Sequence, residues 1–308
     1  MGPLAAPAAV HVFLLLLVNC CSPVSGYKPV IMMHGVGSDQ HEMDRVGKLI
    51  QAGHPGTVAT SLPLYAGKVK ALTPLKTQVS GVIAAIRKLV SANKALYADG
   101  YNFVCKSQGA LICRCVIEAM DDHQVDTFVS LAGPQGGVYG SDFFAKVFKG
   151  IPAMQNLTSA EAYLVAYTRL LQNTVSVTNI WRDPYHLPQY YSSNKFLPVY
   201  NGLRASAAEL VQFKHNFIRL KKAVFCVGSG TPYDGGIEPW QSGVWGAADP
   251  TGKILTMRQQ EYYTNDLFGL QTLDKMGRLN LTIVPGAKHS DWTANAALIN
   301  ATIMPHLT

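Results

Sequence analysis

Short apolar, β-branched runs recur along the chain and alternate with stretches whose apolar residues return every three or four positions. Residues 29–33 (PVIMM) predict an early strand that ends at His34-Gly35-Val36-Gly37, and residues 57–62 a second. Between 75 and 94, Leu75, Val79, Val82, Ile83, Ile86, Leu89 and Val90 fall at helical spacing and predict the clearest helix. Residues 102–105 read as a strand running into Ser107, 109–120 as the helix that follows, and 125–131 as the next strand, closed by Ala132-Gly133-Pro134. The alternation lapses over about 140–221, which is rich in aromatics, Asn, Pro and Ser with scattered short helical patterns. That predicts a cap-like insertion covering the sheet. Residues 223–228 (AVFCVG) resume the strands, 280–284 give the last one, and 294–303 a terminal helix. The fold class expected is α/β, with a mostly parallel central sheet and helices on both faces.

The N-terminus breaks this rhythm. Residues 10–18 (VHVFLLLLV) are almost wholly apolar but too short to span a bilayer as a helix, and small, turn-prone residues follow up to Gly26. Residues 1–26 therefore read as a signal peptide cut near Gly26–Tyr27, although its n-region carries no Lys or Arg; the alternative is a buried strand or an anchor. Ala6 stands where a myristoylation signal requires Ser or Thr. Residues 27–308 then form a single domain: 48% of the 308 residues are hydrophobic, enough for one sizeable core, and no linker or repeat divides them. Sequons at Asn156, Asn280 and Asn300 fit a glycosylated lumenal or secreted protein.

The formal charge of +7 reads chiefly as a mildly basic surface, and secondarily as a means of transient contact with anionic lumenal membranes. No Lys/Arg cluster with interleaved aromatics is present, which argues against nucleic acid. Oligomeric state is not legible. Cys20 and Cys21 leave with the signal. Cys105, Cys113, Cys115 and Cys226 remain, at spacings that fit no zinc pattern, in a compartment that favours a disulfide.

The candidate chemistry begins at Cys105-Lys106-Ser107-Gln108-Gly109, between a strand and a helix, the place of a nucleophile elbow. The turn is tight, so Gly109 is apt on the helix side, while Cys105 stands where Gly is commoner. Cys105 lies about 7 Å down the strand from the elbow and Cys113 about 9 Å along a helix folding back beside it. The two thus lie at similar depth and within disulfide reach, the alternative being two small buried thiols. Cys115 and Cys226 read as inert core residues. A serine nucleophile needs a base and an acid in the order Ser, acid, His. His289 follows the last strand, in Pro285-Gly286-Ala287-Lys288-His289, whereas His306 lies at the chain end and reads as surface. Asp234 is the only carboxylate in the turn after residues 223–228; Asp before Gly-Gly is also ordinary turn chemistry, Asp249 is second choice, and Asp291 is too near His289 in sequence. The oxyanion donors expected are the main-chain N–H groups of Val36 and Gln108, and His34 reads as loop structure.

These residues resemble the lysosomal palmitoyl-protein thioesterases, and among them the type 2 branch. The stretches that carry the resemblance are His34-Gly35-Val36-Gly37, the elbow with Cys113-Arg114, Met120-Asp121-Asp122-His123, Gly133-Pro134-Gln135-Gly136, Trp181-Arg182-Asp183-Pro184, Asn201-Gly202, Pro239-Trp240 and His289, in order over nearly the whole chain. The resemblance implies an α/β-hydrolase fold, a helical acyl-binding insertion, a lysosomal location, and no metal or cofactor. It also favours the Cys105–Cys113 pair. Ala110 departs from the family's usual Gly, and the cysteines of further type 2 disulfides are missing. The function expected is a serine hydrolase of long-chain fatty acyl thioesters, acyl-CoA or S-acylated cysteine. Its rivals are a lipase or carboxylesterase acting on oxyesters, and a non-catalytic lipid-binding protein. Phe143, Phe144, Val147, Phe148, Ile151 and Met154 are the candidate acyl-chain wall, a stripe that also reads as plain core packing.

Overall fold

Six strands carry the fold: Val30–Met33 (β1), Ala59–Ser61 (β2), Tyr101–Lys106 (β3), Val125–Leu131 (β4), Lys222–Ser229 (β5) and Leu279–Pro285 (β8). They form one sheet in the order β2-β1-β3-β4-β5-β8, with every neighbouring pair parallel. Two short strands between them in sequence, Ala247–Ala248 (β6) and Ile254–Leu255 (β7), pair antiparallel away from the main sheet. The computed structural model describes residues 2, 26–152, 155–230 and 234–308. Apart from residues 2 and 26, the expected signal segment lies outside them, as does Met154. Among the described residues no helix is long and apolar enough to cross a membrane.

The strand sequences explain the sheet. β3 and β4 are buried at every position, as strands of a parallel sheet covered on both faces are, and their polar Asn102, Lys106, Asp126, Thr127 and Ser130 are buried with the apolar residues. The helix Leu75–Ala92 turns Leu75, Val79, Val82 and Ile86 inward, leaving Ile83 and Val90 only partly buried. It ends two residues short of expectation because Asn93 leaves helical backbone, at φ −136° and ψ 48°. The expected terminal helix 294–303 is Ala296–Thr302, capped by the Asn295 side chain accepting Leu298 N–H, and a separate short helix, Asp291–Ala294, precedes it. The helix Asp44–Gly53 and the β6–β7 pair were not expected.

Strand β1 leads outward to β2, and the chain then crosses back to place β3 on the other side of β1. Such a reversal leaves a crevice beyond the carboxyl ends of the strands, where open α/β sheets bind ligands. Ser107 immediately follows β3 there. Residues 132–221 hold short helices, including Ser141–Val147, Leu187–Ser193 and Leu197–Tyr200, and close with Ala207–Phe217, which packs on the elbow helix Gln108–Ala119. A buried network ties this stretch to the elbow helix. Arg114 is fully buried and donates to Glu118, Gln135 Oε1, Tyr200 O and Asn201 Oδ1, with its guanidinium 5.1 Å from the Trp245 ring centre. Several scattered sequence motifs thus converge on one cluster.

Candidate active site

The elbow is built as a strained turn. Ser107 sits at φ 54° and ψ −132°, a region non-glycine residues enter only when the surroundings impose it. Its own N–H is held by Leu131 O at 2.8 Å, and its carbonyl accepts Ala110 N–H at 2.9 Å. Gly109 is obligatory: a Cβ there would stand 2.2 Å from His34 O. Cys105 and Cys113 are joined in a disulfide with Cα atoms 6.6 Å apart, so the expected bridge ties the strand before the elbow to the helix after it. Cys115 and Cys226 are free and buried, and burial pushes both thiols up, Cys226 to about 12. Neither is a thiolate at neutral pH.

On the far side of the crevice β5 and β8 supply the other two groups. Asp234, its side chain wholly buried, lies 2.6 Å through Oδ1 from His289 Nδ1. Gly236 and Ile237 donate their N–H groups to the same oxygen at 3.2 and 3.1 Å, and Trp292 Nε1 donates to Oδ2 at 2.9 Å. The His289 N–H donates to Asp234 O at 2.6 Å, fixing the two loops to each other. Gly236 is as necessary here as Gly109 is at the elbow, since a Cβ on it would lie 2.3 Å from His289 Cγ. The Asp-Gly-Gly turn is therefore both an ordinary turn and the seat of a histidine partner. The alternatives fall away: Asp249 holds its own turn through Thr251 and Lys253 N–H, Asp291 accepts Lys288 N–H, and neither bonds His289. His306 is half-buried rather than surface, and His34 spends both ring nitrogens on Gly35 O and Leu64 O.

A cavity of about 160 Å³ joins the two sides, lined by Ser107, His289, Val36 and Gln108 together with the apolar Phe143, Val147, Val177, Ile180 and Ile237. Neither the Val36 nor the Gln108 N–H donates to a protein acceptor among the described residues. The Gln108 side chain is fixed between Ala71 O and Ser176 Oγ, which steadies the peptide beside the serine. Of the expected acyl stripe, Phe143 and Val147 reach the cavity. Phe144 and Phe148 do not reach it and pack, with Phe143, around Trp181. A larger cleft of about 800 Å³, lined by Lys76, Arg169 and Lys195 among others, holds none of these groups, so volume alone does not mark the chemistry.

The sequence of the whole chain decides the family: residues 29–289 match the palmitoyl protein thioesterase model. The chain belongs to that family. It is 36% identical over 295 residues to the lysosomal thioesterase PPT2 of Rattus norvegicus and likewise to that of Homo sapiens, covering 96% of this chain and 93% of each relative. The PPT2 homolog of Drosophila melanogaster is 30% identical over 296 residues, covering 95% and 97%. Within the family the chain lies in the type 2 branch, its fold is α/β with a six-stranded parallel sheet, and it is a thioester hydrolase.

For this thioesterase, sequence reasoning missed four contributors. Trp292 stands three residues after His289 and was visible as an aromatic beside the candidate base. Ser176, which holds Gln108, had no local signal. Glu42 and Lys106 also line the cavity, with Glu42 Oε2 accepting Gly35 N–H at 2.9 Å. Lys106 sits inside the elbow motif, but its buried partner lies 64 residues away. The sequon residues Asn156, Asn280 and Asn300 are all exposed.

Proposed function

We propose that this thioesterase cleaves long-chain fatty acyl thioesters, acyl-CoA or S-acylated cysteine, through a covalent acyl-enzyme on Ser107. The observation that carries the reading is the Asp234–His289 pair, 2.6 Å apart with its carboxylate buried, opening on the cavity that also holds Ser107. With Nδ1 engaged by Asp234, His289 Nε2 is the nitrogen left for the Ser107 proton. Ser107 Oγ attacks the thioester carbonyl as His289 takes that proton, and the negative oxygen is received by the N–H groups of Val36 and Gln108. The C–S bond breaks and the thiolate leaves, protonated by His289. Water, giving its proton to His289, then attacks the acyl-serine and releases the fatty acid and free Ser107. Asp234 holds the imidazole in one orientation and stabilises its charged form throughout.

Phe143, Val147, Val177, Ile180 and Ile237 receive the first carbons of the acyl chain, and residues 140–221 act as its cover. The names of the curated relatives favour a lysosomal site of action, reached through the secretory pathway. Thiols have pKa values near 8.5 and leave far more readily than alkoxides. The test is a matched pair of oxyester and thioester with the same acyl group. The thioester should show a kcat/KM at least about a hundredfold higher; equal rates, or a faster oxyester, would make this a lipase or carboxylesterase instead.

A further inference from the structure

We propose that Glu42 is a positioning residue of the oxyanion loop. It pins the Gly35 amide so that the neighbouring Val36 N–H stays aimed at the oxygen that becomes charged, and Lys106 is the counter-ion that holds the Glu42 carboxylate in place. The inference rests on the reading of Ser107 as nucleophile and Val36 as oxyanion donor.

Glu42 lies in the 3-10 turn Gln40–Met43, just beyond the His34-Gly35-Val36-Gly37 loop. Its Oε2 accepts Gly35 N–H at 2.9 Å, and its Oε1 accepts Lys106 Nζ at 2.5 Å. The two side chains are 18% and 6% exposed, so the pair is poorly screened and the contact is persistent. The pinned peptide is the wall of the nucleophile. A Cβ on Gly35 would stand 3.0 Å from Ser107 Cβ, 3.6 Å from Ser107 Oγ and 3.5 Å from Glu42 Oε2.

A pin is needed here for a physical reason. Gly35 and Gly37, the latter at φ 76°, give the loop the freedom to point an amide inward and equally the freedom to turn it away. Oxyanion donors act only when held in place before the charge forms. Fold stability alone does not call for this pair, because buried ion pairs are often replaced by apolar residues at no loss. Burial pushes the Glu42 carboxyl up, but Lys106 and the Gly35 amide more than offset it, leaving it below its ordinary range. The pin therefore stays ionised in an acidic compartment. Neither group exchanges a proton in the cycle.

Removing both charges together avoids stranding a buried ion, so the decisive comparison is E42A/K106M against E42Q/K106M. The glutamine keeps an oxygen acceptor for Gly35 N–H and the alanine does not. Each is assayed for kcat and KM on a water-soluble short-chain acyl thioester, alongside thermal midpoint. E42A/K106M should lose about thirtyfold or more in kcat with KM little changed, and the glutamine variant should recover most of that loss, about tenfold. Equal kcat in two variants of matched midpoint would overturn the proposal. If the alanine variant does not fold, E42D/K106M, whose acceptor is withdrawn by one methylene, serves in its place with the same expected direction. A wild-type protein that fails to hydrolyse the thioester would sink the underlying reading of Ser107, whereas an active wild type with equal variants sinks only the role of Glu42.

Discussion

The two sides of the crevice are held by different means. On the nucleophile side, β3 is buried throughout, the elbow helix is almost wholly buried, and a disulfide spans the turn. On the base side, β8 is the edge of the sheet and half-exposed along its length, and the order there comes from hydrogen bonds converging on one carboxylate. The nucleophile must sit in a strained conformation that only dense packing imposes. In the proposed cycle the histidine accepts and returns a proton, which a bonded but partly exposed ring does well. Packing positions one partner and polar networks the other, and each side should fail in its own way.

The largest effect is expected on the base side. Asp234→Asn keeps the shape but no longer fixes the imidazole tautomer, and kcat should fall about a thousandfold to ten-thousandfold with the fold intact. Trp292→Phe removes only one bond to that carboxylate and should cost about tenfold or less. Steady-state kinetics on one thioester measures both, and similar losses in the two variants would mean that Asp234 is not the histidine's partner.

The nucleophile side should instead yield to acid. His123 lies in the loop before β4, its Nδ1 accepting Val125 N–H and its Nε2–H donating to Asn216 O. Burial lowers its pKa to about 4. The folded state therefore binds this proton less readily than the unfolded chain, so the full stabilisation is present above pH 6.5 and is lost as pH falls from 6.5 towards 4. The loss amounts to about 3 kcal/mol. Between pH 7 and pH 4.5 the urea midpoint should fall further for the native chain than for His123→Asn; an equal change in both would assign the acid sensitivity elsewhere. A slightly smaller effect is expected from the bridge. Cys105→Ser/Cys113→Ser should lower stability by about 2–3 kcal/mol on a loop-entropy model, read from denaturant unfolding, and an unchanged midpoint would deny the disulfide its role.

The same contrast governs what was legible in the sequence. Strands 125–131 and 223–228, the elbow and its cysteine pair are local patterns of apolar run, turn and spacing, and the structure places them with shifts of a residue or so. Asp234 and His289 were singled out by chain order because each follows a strand, and the structure brings them into hydrogen-bond contact. Contacts between distant segments left no such trace. The Glu42–Lys106 pair joins residues 64 apart, and Gln108–Ser176 residues 68 apart. Asn295 starts the terminal helix two residues late and parts it from the unexpected Asp291–Ala294, because one asparagine can end a helix and cap the next, which apolar periodicity does not register. Phe143, Phe144 and Phe148 all pack on Trp181, and only the cavity wall, which Phe143 reaches and the other two do not, tells them apart.

The most direct test of the account is labelling of the native chain with a serine-directed phosphonate, followed by peptide mapping. One equivalent should be found on the peptide containing Ser107, slowed by competing acyl thioester and absent in Ser107→Ala. Equal labelling of the native and substituted proteins, or label on another serine, would contradict it.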